Sequence, residues 1–94
     1  MLIIAGVLRV AAEDRDGYLS ATFDVAVQAR AAPGCLDFVQ AADPVDPERI
    51  NIYERWTSEE DLHRFRNFGG SDLDLPEVRS MDVHKYRISS IEDP

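Results

Sequence analysis

Apolar residues run almost unbroken through Leu2 to Val10, recur at helical spacing from about Glu13 to Ala32, and alternate with polar residues from Arg49 to Trp56. Each pattern predicts a different element. The first, rich in Ile, Val and Leu, is that of a strand covered on both faces. In the second, Leu19, Phe23, Ala26, Val27 and Arg30 fall at helical spacing. Asp14 and Asp16 lie near the positive end of that helix and Arg30 near its negative end, while Gly17 weakens it slightly. Pro33-Gly34 ends it. Cys35 to Ala41 then predicts a short strand with Leu36, Phe38 and Gln40 on one side. Asp43-Pro44-Val45-Asp46-Pro47 cannot continue a ladder, so the chain turns and returns antiparallel as Arg49 to Trp56.

On the returning strand Ile50, Ile52, Glu54 and Trp56 share one face, and Asn51, Tyr53 and Arg55 the other. A carboxylate on an otherwise apolar face is either hydrogen-bonded in the fold or part of a lined cavity. The strand runs into Ser58-Glu59-Glu60-Asp61, a capping box that starts a second helix carrying Leu62, Phe65 and Phe68 inward, and Gly69-Gly70 stops it. Ser71 to Arg79 is compatible with a loop or one helical turn. From Ser80 to Ile91 the strand pattern returns, with Val83, Tyr86, Ile88 and Ile91 as its apolar members, and the last three residues fray.

The resulting order is β-α-β-β-α-β in one domain spanning residues 1–94. Such an order closes into a ferredoxin-like α+β fold, a four-stranded antiparallel sheet with both helices on one face. The other face keeps Ile, Val and Tyr side chains in water, so a homodimer with two sheets face to face is expected.

Composition narrows the function. The chain has 94 residues and a net charge of -8, and its ten Lys and Arg are scattered, which argues against nucleic acid and anionic membrane surfaces as partners. The apolar opening segment lacks a basic leader and is interrupted by Arg9, so a strand is expected there rather than a signal peptide, and no stretch is long enough to span a bilayer. With Cys35 as the only cysteine, a reducing cytoplasm is the expected compartment. Beside the Pro33-Gly34 stop, Cys35 is expected to be a small core residue rather than a nucleophile. Two distant histidines give no metal-site signal, and Gly69-Gly70 lacks the following helix and lysine of a phosphate loop.

Two segments, Arg30-Ala31-Ala32-Pro33-Gly34-Cys35-Leu36 and Tyr53-Glu54-Arg55-Trp56-Thr57-Ser58-Glu59-Glu60-Asp61-Leu62, resemble the antibiotic biosynthesis monooxygenase family of small dimeric α+β barrel proteins. The resemblance extends over nearly the whole chain. It implies a pocket between sheet and helices that takes flat aromatic or quinone-like substrates, which some members oxidise with molecular oxygen and no metal, flavin or haem. Trp56 falls on the tryptophan the family uses in that pocket and Glu54 on its recurrent strand glutamate, and these two are the candidate catalytic residues. The chain departs from the pattern twice. Phe65 stands where many members carry a histidine, which also speaks against haem degradation. Ile52 stands where some oxygenases use an asparagine, and Asn51 projects from the opposite face.

Oxygenation without a cofactor requires a substrate that loses a proton and passes an electron to oxygen. The protein must exclude water, hold the ring against an aromatic wall, and supply a donor or cation where phenolate charge develops. Phe38, Phe65 and Phe68 are candidates for the wall, or for ordinary core packing. His84, Tyr86 and Arg87 on the last strand and His63 on the second helix are candidate substrate contacts, though residues of these types are more often ordinary surface or interface residues. Glu54 could serve as a general base if burial raised its pKa, or pair with an arginine in the fold. The expected function is a cofactor-independent monooxygenase acting on a hydroquinone, anthrone or similar polyphenol. The alternatives are a non-catalytic small-molecule binding protein and an isomerase or cyclase on the same barrel.

Overall fold

The computed structural model describes residues 1–68 and 74–94, and of residue 68 only the backbone. The elements are β1 (Leu2–Val10), a 3-10 turn (Ala12–Asp14), α1 (Arg15–Ala21), α2 (Phe23–Ala31), β2 (Cys35–Ala42), β3 (Arg49–Trp56), α3 (Glu59–Phe68) and β4 (Val78–Arg87). Among the described residues the strands form one sheet in the order β2-β3-β1-β4, with every neighbouring pair antiparallel. This is the ferredoxin-like α+β arrangement, with β1 and β3 at the centre.

The register sorts the side chains. Leu2 pairs with Trp56, Ile4 with Glu54, Gly6 with Ile52 and Leu8 with Ile50, so the alternate members of β1 and β3 share the helix-facing side. Leu2, Ile4, Leu8, Val10, Ile50, Ile52 and Trp56 are all buried there. One core cluster gathers Leu2, Ile4, Ala29, Phe38, Trp56 and Leu62; a second gathers Leu8, Val10, Tyr18, Ile50 and Ile52, with Val83 packed against both. Gly6 lets β4 approach β1 closely. A Cβ there would overlap the Asp82 carbonyl oxygen and lie 2.7 Å from Val83 Cα.

The single helix expected from Glu13 to Ala32 is two helices broken at Thr22. Its Oγ1 donates to the Tyr18 carbonyl at 3.0 Å, and its own carbonyl accepts from the Val25 and Ala26 amides, so Thr22 closes one helix and opens the next. The break turns α2. Ala29 is fully buried, with Val25 and Ala26 packed on the core, whereas Phe23 and Val27 stand 66% and 52% exposed. The apolar spacing therefore placed Ala26 correctly but set Phe23 and Val27 on the wrong face of α2.

Leu36 is a second departure. The β2–β3 register shifts between Cys35 and Asp37, leaving Leu36 as the extra residue, exposed rather than beside the buried Phe38. On β4 the strand begins at Val78 and ends at Arg87, short of the expected Ile91, which is exposed. Ile88 still donates its amide to the Met1 carbonyl at 3.0 Å. The expected Gly69-Gly70 helix stop and the loop through residue 73 lie outside the described residues.

Candidate functional site

Strand β3 delivers Trp56 and Glu54 to one end of the sandwich, two residues apart on the helix-facing side. Trp56 is completely buried, and its indole Nε1 donates to Glu54 Oε1 at 3.0 Å. The bond answers the question the sequence posed about this carboxylate: it accepts from the one polar atom of the neighbouring indole. Burial raises the Glu54 pKa above the ordinary glutamate value, opposed by the Trp56 hydrogen bond and by the positive charge of Arg66. A carboxyl held this way is suited to take up and return a proton nearer neutrality.

Two phenylalanines pack around the pair. The Phe65 ring lies 5.4 Å from Trp56, tilted by 33°, and meets Phe38 edge-on at 6.3 Å. Phe38 is buried, while Phe65 is only partly so, because its outer side borders a cleft of about 470 Å³. That cleft lies between the end of α2 and the middle of α3, lined by Gln28, Ala31, Ala32 and Pro33 on one side and Asp61, Arg64 and Phe65 on the other. Its volume suits a small organic ligand, and its lining is mostly apolar with a few polar groups.

The cleft has a rigid end. Gly34, at φ 82°, lies in the Ala32–Cys35 turn that leads from α2 into β2, in a conformation that only glycine adopts freely, and a Cβ there would overlap the Asp61 carboxylate. The Gly34 carbonyl accepts from the Thr57 amide at 2.8 Å. Ser58 caps α3 by accepting from the Asp61 amide at 3.2 Å. Asp61 does not reach back to the backbone as a full capping box would. Its Oδ2 instead accepts from the Thr57 and Ser58 hydroxyls at 2.7 and 3.0 Å, and its Oδ1 from Arg64 at 2.8 Å. Hydrogen bonds from Thr57 and Ser58, then Arg64, hold its pKa below the ordinary aspartate value.

The structure thus brings together Trp56, Glu54, Phe38 and Phe65, but not the candidates on the last strand. His84 pairs with Ala5 and Tyr86 with Ile3, both on the open side of the sheet, so His84 and Tyr86 face away from the Trp56 pocket. His84 is held there by Asp82, 2.8 Å away. On the helix side of β4, Lys85 and Arg87 both bind Glu59 at the start of α3. Phe68 ends α3, and its side chain lies outside the described residues. His63 is exposed on α3, away from the cleft. Cys35 is partly buried against the first core cluster, and burial raises its pKa. Sequence reasoning missed Gln28 and Arg64, the neutral donor and the cation on the cleft wall. The one available signal was that Arg64 precedes Phe65 on the same short helix. Among the described residues, no group of three metal-ligating side chains is assembled.

A ferredoxin-like sheet with a cleft between two of its helices and a tryptophan–glutamate pair behind it has the architecture of a small-molecule-binding α+β protein. Residues 1–69 match the family described as antibiotic biosynthesis monooxygenase, and the chain belongs to that family. Solved structures agree on the fold. A Deinococcus radiodurans protein assigned provisionally to the antibiotic biosynthesis monooxygenases is 20% identical, with a TM-score of 0.80 over 100% of this chain and 98% of that one. A Chloroflexus aurantiacus protein with the same provisional assignment is 24% identical, with a TM-score of 0.70 over 98% and 96%. The haem degrader MhuD of Mycobacterium tuberculosis, solved with two haems in its active site, is 15% identical, with a TM-score of 0.70 over 99% and 100%. No curated protein matches the chain.

Proposed function

We propose that the cleft takes a flat hydroquinone- or anthrone-like ring and that the protein is a cofactor-independent monooxygenase. The observation that carries the reading is the cleft of about 470 Å³ whose inner wall, Phe65, rests on the Trp56–Glu54 pair. In this scheme the ring lies on Ala31, Ala32, Pro33 and Phe65, and the Arg64 guanidinium stabilises the phenolate formed when the substrate loses its proton. Glu54 accepts that proton when the Phe65 ring is displaced, because Phe65 stands between the cleft and the Trp56–Glu54 pair. The substrate supplies all the electrons: an anthrone CH2 and O2 become C=O and H2O, and a hydroquinone and O2 become a hydroxyquinone and H2O. One oxygen atom enters the product in each case and the other leaves as water.

The test is oxygen uptake by metal-stripped protein against a panel of hydroquinones and anthrones, with a protein-free autoxidation control. Because Trp56 is completely buried, Trp56→Ala would open a core cavity costing about 3–5 kcal/mol. Trp56→Phe removes the N–H to Glu54 while keeping a ring, and it should lower turnover at least tenfold in a folded protein. Uptake no faster than the control would sink the oxygenase.

A second reading, a non-catalytic small-molecule binding protein, is favoured by the engagement of Arg64 and Asp61 with each other and by Phe65 where a polar side chain would otherwise meet the ligand. Saturable binding without product under air selects it.

We further propose that the protein is cytoplasmic and works as a homodimer through its open sheet face. Ile3, Val7, Val39 and Tyr53 lie half-buried on that face, and Tyr86 is 50% exposed. Arg55 Nε, buried on the same side, has no hydrogen-bond partner among the described residues, a group a second copy could satisfy. No helix among the described residues is long and apolar enough to cross a membrane.

A further inference from the structure

Trp56 and the cleft do not meet. The indole is completely buried, whereas the cleft stops at the outer side of the Phe65 ring. For a substrate ring to reach Trp56 and Glu54, the side chain between them must move.

Phe65 is the aromatic of this cluster with room to do so. Trp56 and Phe38 are wedged between sheet and helices at 0% and 3% exposure, but Phe65 is partly exposed and has the empty cleft on one side. Its backbone has an anchor one turn earlier in Leu62, which is fully buried, so the ring can change rotamer without moving the helix. The contacts it makes are also those a ligand ring would make: one tilted aromatic contact with Trp56 and one edge contact with Phe38.

We propose that Phe65 is the specificity-determining residue of the cleft: its ring occupies the place of a substrate ring against Trp56 and Phe38, and swings into the cleft to admit a planar aromatic. This rests on the reading of the cleft as the ligand site, but not on oxygenation. With the ring in place, a one-ring ligand is held at the rim beside Arg64. A fused multi-ring ligand binds only by displacing Phe65 from Trp56, so the displacement weakens its apparent affinity.

Trp56 is the only tryptophan, so emission excited at wavelengths tyrosine does not absorb reports this site alone. Acrylamide quenching is measured for the native chain, Phe65→Ala, Phe65→Leu and Phe65→Tyr. Alongside, calorimetric titrations use 4-hydroxybenzoate as a one-ring probe and anthraquinone-2-sulfonate as an oxygen-inert three-ring probe. Phe65→Ala should raise the quenching constant several-fold and shift preference at least tenfold toward the three-ring probe. Phe65→Leu should move both in the same direction by less, and Phe65→Tyr should restore native shielding. An unchanged probe ratio and unchanged quenching in a folded Phe65→Ala protein overturn the proposal. Should that variant not fold, an unchanged pair of readouts in Phe65→Leu does the same. If neither probe binds, quenching alone decides. A quenching and affinity shift without any oxygen uptake would retain the gate and remove the oxygenase, so the two failures are distinguishable.

Discussion

At Glu54, a single hydrogen bond and a shortage of water determine what the side chain can do. Burial raises its pKa, so between the ordinary value of 4.5 and the higher folded value the native chain holds a proton that the unfolded chain has released. Stability from this group therefore falls as pH rises through that window, and the full cost is present above the folded value. Glu54→Gln keeps an acceptor for the Trp56 indole without the buried charge. It should unfold at a higher temperature than the native chain at pH 7.5, and the gain should vanish below about pH 4, as followed by circular dichroism. Gly6 sets a different constraint at the same scale. Gly6→Ala would drive a methyl into the β4 backbone, and urea denaturation should show a loss of about 3 kcal/mol or more. The Glu54–Trp56 juxtaposition was legible in the sequence because a strand alternates strictly. That the indole would be sealed behind Phe65 was not, since accessibility depends on how α3 lies over β3 rather than on either segment alone.

Among the elements, strands were the easier to read. A long apolar run identified β1, and strict alternation identified β3 and its helix-facing residues. The helices were harder, because α2 is short and rich in alanine, and alanine serves either face. Its inward stripe is built from Ala26, Ala29 and Val25, so the bulkier Phe23 and Val27 misled, and the Thr22 break that rotates the helix is carried by one hydroxyl. Gly17 in α1 has nothing within 4 Å of an added Cβ. Gly17→Ala should accordingly stabilise the protein by about 0.5–1 kcal/mol in the same urea assay, because a methyl fits freely while the unfolded chain loses freedom. At the start of α3, Ser58→Ala should cost about 1 kcal/mol by removing the cap on the Asp61 amide and one donor to its carboxylate. His84 and Tyr86 show the limit of counting along a strand. Alternation put them on one face, but only the pairing of β4 with β1 says which face that is.

For the whole molecule, the half-buried apolar side chains on the open side of the sheet are what the proposed homodimer rests on. Sedimentation at micromolar concentration should give twice the 10.6 kDa of one chain, and a single species at the monomer mass would remove the homodimer. The β-α-β-β-α-β order was readable from turn chemistry and apolar period together, and with it the ferredoxin-like sheet. The cleft was not, because it is a gap between two helices that each lie on a different strand. One end of that gap is pinned where the Gly34 carbonyl holds the Thr57 amide and the Asp61 carboxylate ties down the first turn of α3. The two helices therefore work like the arms of tweezers joined at Gly34 and Thr57. Any breathing that widens the gap must grow with distance from that joint, so amide exchange under native conditions should be slowest at residues 57–62 and fastest toward the last turn of α3.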